Sequence, residues 1–84
     1  MEKKQIGTVA HFFTHIGVAV VELSDTLNTG DTVSFEGAST NFKQKIDSMQ
    51  IEKQSIPSAK KGQAIGLKTL DRVREGDIVF KIIE

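Results

Sequence analysis

Short stretches in which apolar and polar residues alternate, each bounded by a polar turn, make up most of this chain. They lie at residues 5–13, 16–23, 32–36, 63–70 and 77–83, and β-branched and aromatic residues predominate in them. Alternation with a period of two is typical of β-strands that bury one face. The pattern therefore predicts strands, the first two of them as an antiparallel pair.

The stretch of residues 40–53 breaks this rhythm. Phe42 and Ile46 share one parity with Gln44 between them. Met49 and Ile51 share the other parity, so an ideal strand could not bury all four apolar side chains on one side. A β-bulge near residues 47–48 would restore the facing. The alternative is a helix, because several of these residues also lie at helical spacing; we prefer the bulged strand because the surrounding stretches are strands and no cap frames a helix.

Two turn sequences resemble each other. LNTGDTVSFEG begins at Leu27 and VREGDIVFKI begins at Val73, and each places a Gly-Asp pair directly before an alternating strand. Their glycines can adopt a positive φ that other residues resist, and their aspartates can accept hydrogen bonds from nearby amides. We expect a shared structural turn, with Gly30, Asp31, Gly76 and Asp77 as its key residues.

Six short strands in 84 residues predict an all-β fold, a small closed six-stranded antiparallel-rich β-barrel that occupies residues 1–84 as a single domain. Closure would remove the exposed edges that strongly apolar strands otherwise present. Hydrophobic residues make up 38% of the chain and charged residues 26%, which is ordinary for a folded globular protein. The length supports one hydrophobic core.

The five phenylalanines are the aromatic side chains of this chain, which has no tyrosine or tryptophan. Phe12 and Phe13 are adjacent, so in a strand they point to opposite sides and one of them faces out. Phe35, Phe42 and Phe80 fit the core.

Charge and composition exclude several classes of protein. Eleven lysines and arginines balance 11 acidic residues, so no overall basic field exists to drive nonspecific nucleic-acid binding. The absence of cysteine excludes disulfides and thiolate metal sites and fits a reducing compartment. Neither a signal peptide nor a membrane-spanning run is evident, so we expect a cytoplasmic protein without a membrane partner.

Five landmarks recur along the chain: Gly7-x-Val9, Leu27-x-x-Gly30-Asp31, Ser48-Met49-Gln50-Ile51, Ala59-x-x-Gly62-x-x-x-Gly66-Leu67 and Val73-x-x-Gly76-Asp77. In their order and spacing they resemble the second domain of translation GTPases, the barrel that follows the G domain in elongation factor Tu and recurs in initiation factor 2. The resemblance covers nearly the whole chain and implies a barrel of the elongation factor Tu domain 2 type that binds ribosomal RNA, transfer RNA or a protein. A similar barrel forms the tail of some U32-type peptidases. Within the landmarks, Gly62 leads into a strand in which Gly66 is small enough for close backbone approach.

Nothing in the sequence predicts catalysis. KKGQAIGLK, at residues 60–68, lacks the glycine spacing and the Lys-Ser/Thr pair of a phosphate-binding loop, so we expect neither GTP binding nor another cofactor. His11 and His15 form H-x-x-x-H without further ligands, and we expect no metal site. No serine lies in G-x-S-x-G, so no catalytic residue is assigned and the chain is not expected to be an enzyme.

Basic residues concentrate in the second half. Eight of the 11 lie between positions 43 and 74, where the acids are Asp47, Glu52 and Asp71, which gives a local excess of five positive charges. We treat them as candidates for contact with RNA phosphates; the alternative is that lysines keep strand edges soluble and block strand addition. The candidates are Lys43, Lys45, Lys53, Lys60, Lys61, Lys68, Arg72 and Arg74.

These observations predict a noncatalytic binding module that engages RNA or the translation machinery. The alternative is an accessory protein–protein interaction domain, related to the barrel tail of U32-type peptidases and unconnected to translation.

Overall fold

In the computed structural model, residues 2–83 are described, and they form ten β-strands and no helix. Consequently, this part of the chain offers no helix of the length and apolarity that crossing a membrane requires. The strands are β1 (Glu2–Phe13), β2 (Val18–Leu23), β3 (Leu27–Asn28), β4 (Thr32–Glu36), β5 (Asn41–Lys45), β6 (Met49–Ile51), β7 (Gln54–Ile56), β8 (Ser58–Ala59), β9 (Ala64–Lys68) and β10 (Ile78–Ile83).

Eight strands form one antiparallel sheet in the order β5-β4-β10-β1-β2-β9-β6-β7, and β3 pairs separately with β8. The long strand β1 is central: its first half pairs mainly with β10 and its second half with β2. The register of β1 shifts between Gln5 and Gly7 and again between Val9 and His11. Such bulges bend a strand and increase its twist, so they help the sheet to curl.

The inner face of the curled sheet holds one hydrophobic core. Along β2, Ala19, Val21 and Leu23 are buried, whereas the alternating Val18 and Val20 are half-buried. Period-two burial of this kind confirms the strand prediction from alternation. The core consists of Ile6, Val9, Ala19, Val21, Leu23, Leu27, Val33, Phe35, Ile46, Met49, Ala59, Ile65, Leu67, Val73 and Val79.

The prediction of an all-β fold is confirmed, but the closed six-stranded barrel is wrong. In the part of the chain that the structure describes, β5 and β7 are the two edges of the large sheet, and no ladder joins them. The predicted bulged strand at residues 40–53 is divided into β5 and β6. The cause is Ile46, whose N–H donates to Asp31 O at 2.8 Å and whose carbonyl accepts from Gly30 N–H at 2.8 Å. Both backbone groups of Ile46 are thus bound to a turn, which ends the strand; the helical alternative is also wrong.

Of the three phenylalanines assigned to the core, two pack there. Phe35 is fully buried, and the Phe42 ring stacks on it with centroids 5.1 Å apart. Phe80 is only half-buried, because it has the opposite parity to the buried Val79. The ammonium group of Lys3 lies over its ring, 4.6 Å from the centroid.

The two Gly-Asp turns have the same hydrogen-bond pattern. In the first, Asn28 N–H donates to Asp31 Oδ2 at 2.9 Å, and Asp31 N–H donates to Asn28 O at 3.1 Å. Gly30 lies between them with φ of 93°. The turn at residues 74–77 repeats these two bonds at 2.9 and 3.1 Å, with φ of 90° at its glycine.

A third copy of this turn lies at residues 60–63, Lys-Lys-Gly-Gln. Lys60 N–H donates to Gln63 Oε1 at 2.7 Å, and Gln63 N–H donates to Lys60 O at 3.1 Å. Gly62 has φ of 91°. The side-chain amide of Gln63 therefore occupies the position that an aspartate carboxylate has in the other two turns.

Each of the three turns binds both backbone groups of one buried residue on another segment, and we call this arrangement a turn clamp. The glycine N–H donates to the carbonyl of that residue, and the carbonyl of the last turn residue accepts from its N–H. All six bonds are 2.8 or 2.9 Å long. The pairs are Gly76 and Asp77 with Val9, Gly62 and Gln63 with Leu23, and Gly30 and Asp31 with Ile46.

Close approach at a glycine occurs at positions other than Gly66. A Cβ on Gly66 would meet Val18 Cγ1 at 3.6 Å, an ordinary contact, so no close backbone approach requires that glycine. A Cβ on Gly37 would instead overlap the buried carboxylate of Asp77. Gly37 thus makes room for Asp77, the aspartate of the turn clamp at residues 74–77.

The hairpin between β6 and β7 turns through two residues in the left-handed region. Ile51 pairs with Gln54, so the loop consists of Glu52 and Lys53, with φ of 51° and 68°. Two positive φ values in a two-residue loop define a type I′ turn, which favours Asn-Gly. Residues other than Gly, Asn and Asp are strained in this conformation.

Candidate interaction site

A side chain joins the edge strand β5 to the end of β9, although no ladder pairs these two strands. Gln44 lies on β5, and its Nε2 donates to the carbonyl of Lys68 at 3.0 Å. Its Oε1 accepts from Leu70 N–H at 2.8 Å. One donor and one acceptor on a planar amide are what a backbone residue would offer in a ladder. Gln44 therefore bonds the two segments as a backbone residue would, and we call this junction of β5 with the end of β9 the seam.

A groove of 380 Å³ runs along the seam. Charged side chains of both signs line it, together with the amide of Gln44 and the side chain of Leu70. We call it the seam groove; its residues are Gln44, Lys45, Asp47, Ser48, Lys68, Thr69 and Leu70.

The loop that follows β9 also contacts the tip of the β1–β2 hairpin. Thr69 N–H donates to the carbonyl of Gly17 at 3.0 Å, and Gly17 N–H donates to Phe13 O at 2.9 Å. A second groove, of 410 Å³, lies between the loop and the tip. We call it the tip groove; its residues are Phe12, Thr14, Gly17, Thr69, Leu70, Asp71 and Arg72.

Large apolar side chains are exposed at this end of the domain. Leu70 is 80% exposed, Ile16 is 61% exposed and Phe13 is 46% exposed. Phe12 packs against the core, so the prediction that one of the two adjacent phenylalanines faces out is confirmed. In residues 2–83 the other large exposed apolar side chain is Ile83, near the end of β10.

The two histidines lie on the same hairpin. His11 Nδ1 is 3.1 Å from Glu75 Oε2, and its ring meets that of Phe13 edge to face at 4.4 Å. His15 is exposed at the hairpin tip. Across residues 2–83, no three side chains of the types that bind metals converge on one point.

Two carboxyl groups on the outer surface are held in their charged form by lysines. Lys3 donates to the Glu36 carboxylate at 2.7 and 2.8 Å and, with Ser34 as a second donor, lowers the pKa of Glu36 below its ordinary value. Lys4 pairs with Asp25 and is the main cause of the lowered pKa of that carboxyl.

The eight predicted basic residues are all exposed, but they are distributed over several elements. Two of them, Lys45 and Lys68, line the seam groove together. Lys43 lies on the edge strand β5, and Lys53 directly precedes the edge strand β7. Lysines at such edges hinder strand addition. Their places are β5 (Lys43, Lys45), the β6–β7 turn (Lys53), the turn clamp at residues 60–63 (Lys60, Lys61), the end of β9 (Lys68) and the loop before β10 (Arg72, Arg74).

The residues that build the seam were not identified as a site from the sequence. One signal was present: Gln44 has the same parity as Phe42 and Ile46, which places a polar side chain on the inward face. Leu70 gave no such signal, because it ends a stretch that reads as strand, whereas β9 ends at Lys68.

Comparison with known proteins finds sequence similarity to one segment of each of several longer proteins. No protein-family model matches it. A protein of Methanocaldococcus jannaschii described as an uncharacterized protease is 39% identical over 83 residues, which are 98% of this chain and 20% of that protein. A collagenase of Porphyromonas gingivalis is 30% identical over 82 residues, 95% of this chain and 23% of that protein. The chain thus spans about a fifth of the length of these relatives.

Solved structures match nearly the whole domain. The C-terminal domain of a Geobacillus thermoleovorans protein assigned as a U32 peptidase superposes with a TM-score of 0.89 at 23% identity, covering 95% of this chain and 93% of that one. The chain has the fold of this C-terminal domain. The selenomethionine variant of the same domain gives a TM-score of 0.85 at 23% identity over 90% of this chain and 96% of that one.

The resemblance to translation GTPases, and with it the prediction that the chain engages RNA or the translation machinery, is wrong. The matches of the U32 C-terminal domain and of the protease and collagenase relatives overturn it. The physical reason lies in the landmarks themselves. Gly30-Asp31 and Gly76-Asp77 meet the backbone requirements of a turn clamp, and any small curled sheet that uses such turns will carry them.

Proposed function

We propose that this chain is a noncatalytic accessory domain that mediates protein–protein contacts in a peptidase of the U32 type. The observation that carries the proposal is the superposition of the whole fold on the C-terminal domain of the Geobacillus thermoleovorans protein, with a TM-score of 0.89. The relatives called protease and collagenase add sequence similarity along almost all of the chain. A protein partner therefore replaces the RNA partners expected from the sequence.

The absence of catalysis in this domain is part of the proposal. The relatives are about five times as long as the segment that matches, so their chemistry has ample room elsewhere. Within residues 2–83, the hydrogen-bond partner of the His11 ring is a carboxylate, and no hydroxyl group binds either histidine ring. A nucleophile needs a base within hydrogen-bond reach, which neither histidine supplies here. A cytoplasmic location and the absence of a cofactor stay predictions.

A chimera tests this function. We would prepare the Porphyromonas gingivalis collagenase intact, without its matching 82-residue segment, and with that segment replaced by this chain. Cleavage of a long collagen chain should fall on deletion and recover on replacement, while the isolated domain cleaves nothing. The proposal is wrong if the isolated domain cleaves collagen, or if the chimera is no more active than the deletion variant.

A further inference from the structure

Leu70 forms a ridge between two grooves, because it lines both the seam groove and the tip groove. Its main chain is fixed on one side by Gln44 and, through the neighbouring Thr69, by Gly17 on the other. The side chain is nevertheless 80% exposed. A fixed backbone that presents a large apolar side chain to solvent is a geometry suited to contact with another molecule.

The exposed apolar residues of the domain are concentrated around this ridge. Single exposed apolar side chains are normal on any protein surface. Here three of the four large ones in residues 2–83, namely Phe13, Ile16 and Leu70, lie on the hairpin tip and the loop that binds it. Exposed apolar patches often mark interaction sites, and Leu70 is the one of these three side chains that lines the grooves.

The charges beside the ridge indicate the chemistry of the partner. Three cations, Lys45, Lys68 and Arg72, line the two grooves, and none of them takes part in the ion pairs found within residues 2–83. Two acids, Asp47 and Asp71, also line the grooves, and the Asp71 carboxylate accepts the backbone N–H of Arg72 at 2.7 Å. The three cations outnumber the two acids by one, which favours a partner that carries carboxylates.

As an extension of the proposed accessory function, on which it rests, we propose that the Leu70 ridge binds an extended polypeptide segment in which apolar side chains alternate with carboxylates. In an extended chain, side chains alternate between two sides, so apolar groups can contact Leu70 and Phe12 while carboxylates reach Lys68 and Arg72.

A polypeptide fits this surface better than a single-stranded nucleic acid. Bases bind by stacking on exposed aromatic rings. The aromatic ring in the tip groove belongs to Phe12, which is half-buried against the core. The exposed ring of Phe13 already packs against His11. An aliphatic ridge with Lys68 on one side and Arg72 on the other supplies apolar contact and charge without a stacking platform.

Amide chemical shifts of the ¹⁵N-labelled chain, recorded during titration with capped synthetic hexapeptides, test the proposal. The probe alternates glutamate with leucine; one control peptide has lysine in place of glutamate, and another has serine in place of leucine. The probe should shift amides at residues 12–17, 44–48 and 68–72 and should bind at least tenfold more tightly than either control peptide. A single-stranded oligonucleotide serves as the third comparison.

Two matched pairs of variants assign the contacts. Leu70→Ser should weaken binding of the probe at least tenfold. Ile83→Ser changes an exposed apolar residue on β10, away from the two grooves, and should leave binding unchanged. Arg72→Glu should weaken binding and flatten its salt dependence, whereas Lys61→Glu, in a turn clamp, should not. All four side chains are exposed, so the variants should fold, and their spectra will show whether they do.

Three results would each overturn the proposal: no binding of the probe at millimolar concentration, equal binding of the lysine peptide, or equal binding by Leu70→Ser. Tighter binding of the oligonucleotide at the same amides would assign the ridge to nucleic acid instead. The chimera with collagenase separates this outcome from failure of the proposed function. A Leu70→Ser chimera that cleaves collagen as well as the unmodified chimera leaves the accessory function intact and excludes the ridge.

Discussion

Leu70 donates its backbone N–H to the side-chain oxygen of Gln44 across the seam at 2.8 Å. The same amide binds the carbonyl of Lys68, so one side chain holds the loop that carries Leu70. Gln44 is 8% exposed, whereas Leu70 is 80% exposed. A buried amide therefore both bonds β5 to the end of β9 and positions the most exposed large apolar side chain among residues 2–83.

Replacing Gln44 by methionine should destabilise the domain by about 1–3 kcal/mol, because the part-buried N–H of Leu70 and carbonyl of Lys68 lose their partners while the side-chain volume is kept. Urea unfolding would measure the loss, and hydrogen exchange should show reduced protection of the Leu70 amide. Gln54→Met, on the exposed edge strand β7, is the control and should change stability by less than about 0.5 kcal/mol. Equal stabilities of the two variants would exclude a structural role for the seam amide.

Gly37→Ala should be more damaging than Gly66→Ala. A Cβ at position 37 would overlap the Asp77 carboxylate and displace it from the turn clamp, at a cost of about 1–3 kcal/mol. A Cβ at position 66 meets only ordinary contacts. Thermal or urea unfolding of the two variants measures the difference. If Gly66→Ala is the less stable of the two, the close approach of Asp77 to Gly37 does not limit the stability of the domain.

The turn at residues 60–63 should accept aspartate in place of its last residue. Because Asp31 and Asp77 make the same bond in the other two turns, Gln63→Asp should keep the stability of the domain. Gln63→Ala should cost about 1 kcal/mol, since it removes the acceptor for Lys60 N–H. Urea unfolding compares the two variants at one position, and a tolerated alanine would show that this side chain does not hold the turn.

The β6–β7 hairpin should gain stability when its turn receives the residues that a type I′ geometry favours. Glu52→Asn together with Lys53→Gly should stabilise the domain by about 1 kcal/mol or more, because both positions have positive φ. The matched control is Glu52→Asn with Lys53→Ala, which removes the same lysine but keeps a strained Cβ. A smaller gain for the glycine variant than for the alanine variant would contradict the argument.

The two lowered carboxyl pKa values should respond independently to their lysines. Lys3→Met should raise the pKa of Glu36 toward its ordinary value and leave Asp25 low, and Lys4→Met should do the reverse. Each pKa is depressed by folding, so the stability it contributes is complete at higher pH and is lost as the pH falls through the depressed value. NMR titration of the side-chain carboxyl carbons checks both shifts; a lysine variant that moves both pKa values would show that the pairs are coupled.

Much of the fold was predictable because strand alternation and turn chemistry are local. The buried parity of Val33 and Phe35, and the Gly-Asp turns, follow directly from residue type and spacing. The division of residues 40–53 into two strands was not predictable, because it depends on Ile46 bonding to a turn 15 residues earlier in the chain. The turn clamp at residues 60–63 was not predicted for a different reason. There Gln63 accepts the hydrogen bond that an aspartate accepts in the other two turns, and it does so through a longer side chain.

The candidate site was less predictable than the fold. The sequence drew attention to lysines, of which Lys45 and Lys68 do line the seam groove. It gave no prominence to Leu70, because an apolar residue after an apolar strand is the ordinary pattern of a core position. Exposure of that side chain results from the early end of β9 and from the bond to Gln44, both of which are tertiary effects.

The turn clamps bear on how far related sequences can diverge while the backbone stays the same. Each clamp is made from main-chain groups and requires only a glycine and one acceptor side chain, which is an aspartate in two turns and Gln63 in the other. Most other positions can then drift, provided that core residues remain apolar. A domain with 23% identity to this chain still superposes with a TM-score of 0.89. We therefore expect Gly30, Gly62 and Gly76 to persist in domains of this fold whose other positions have diverged.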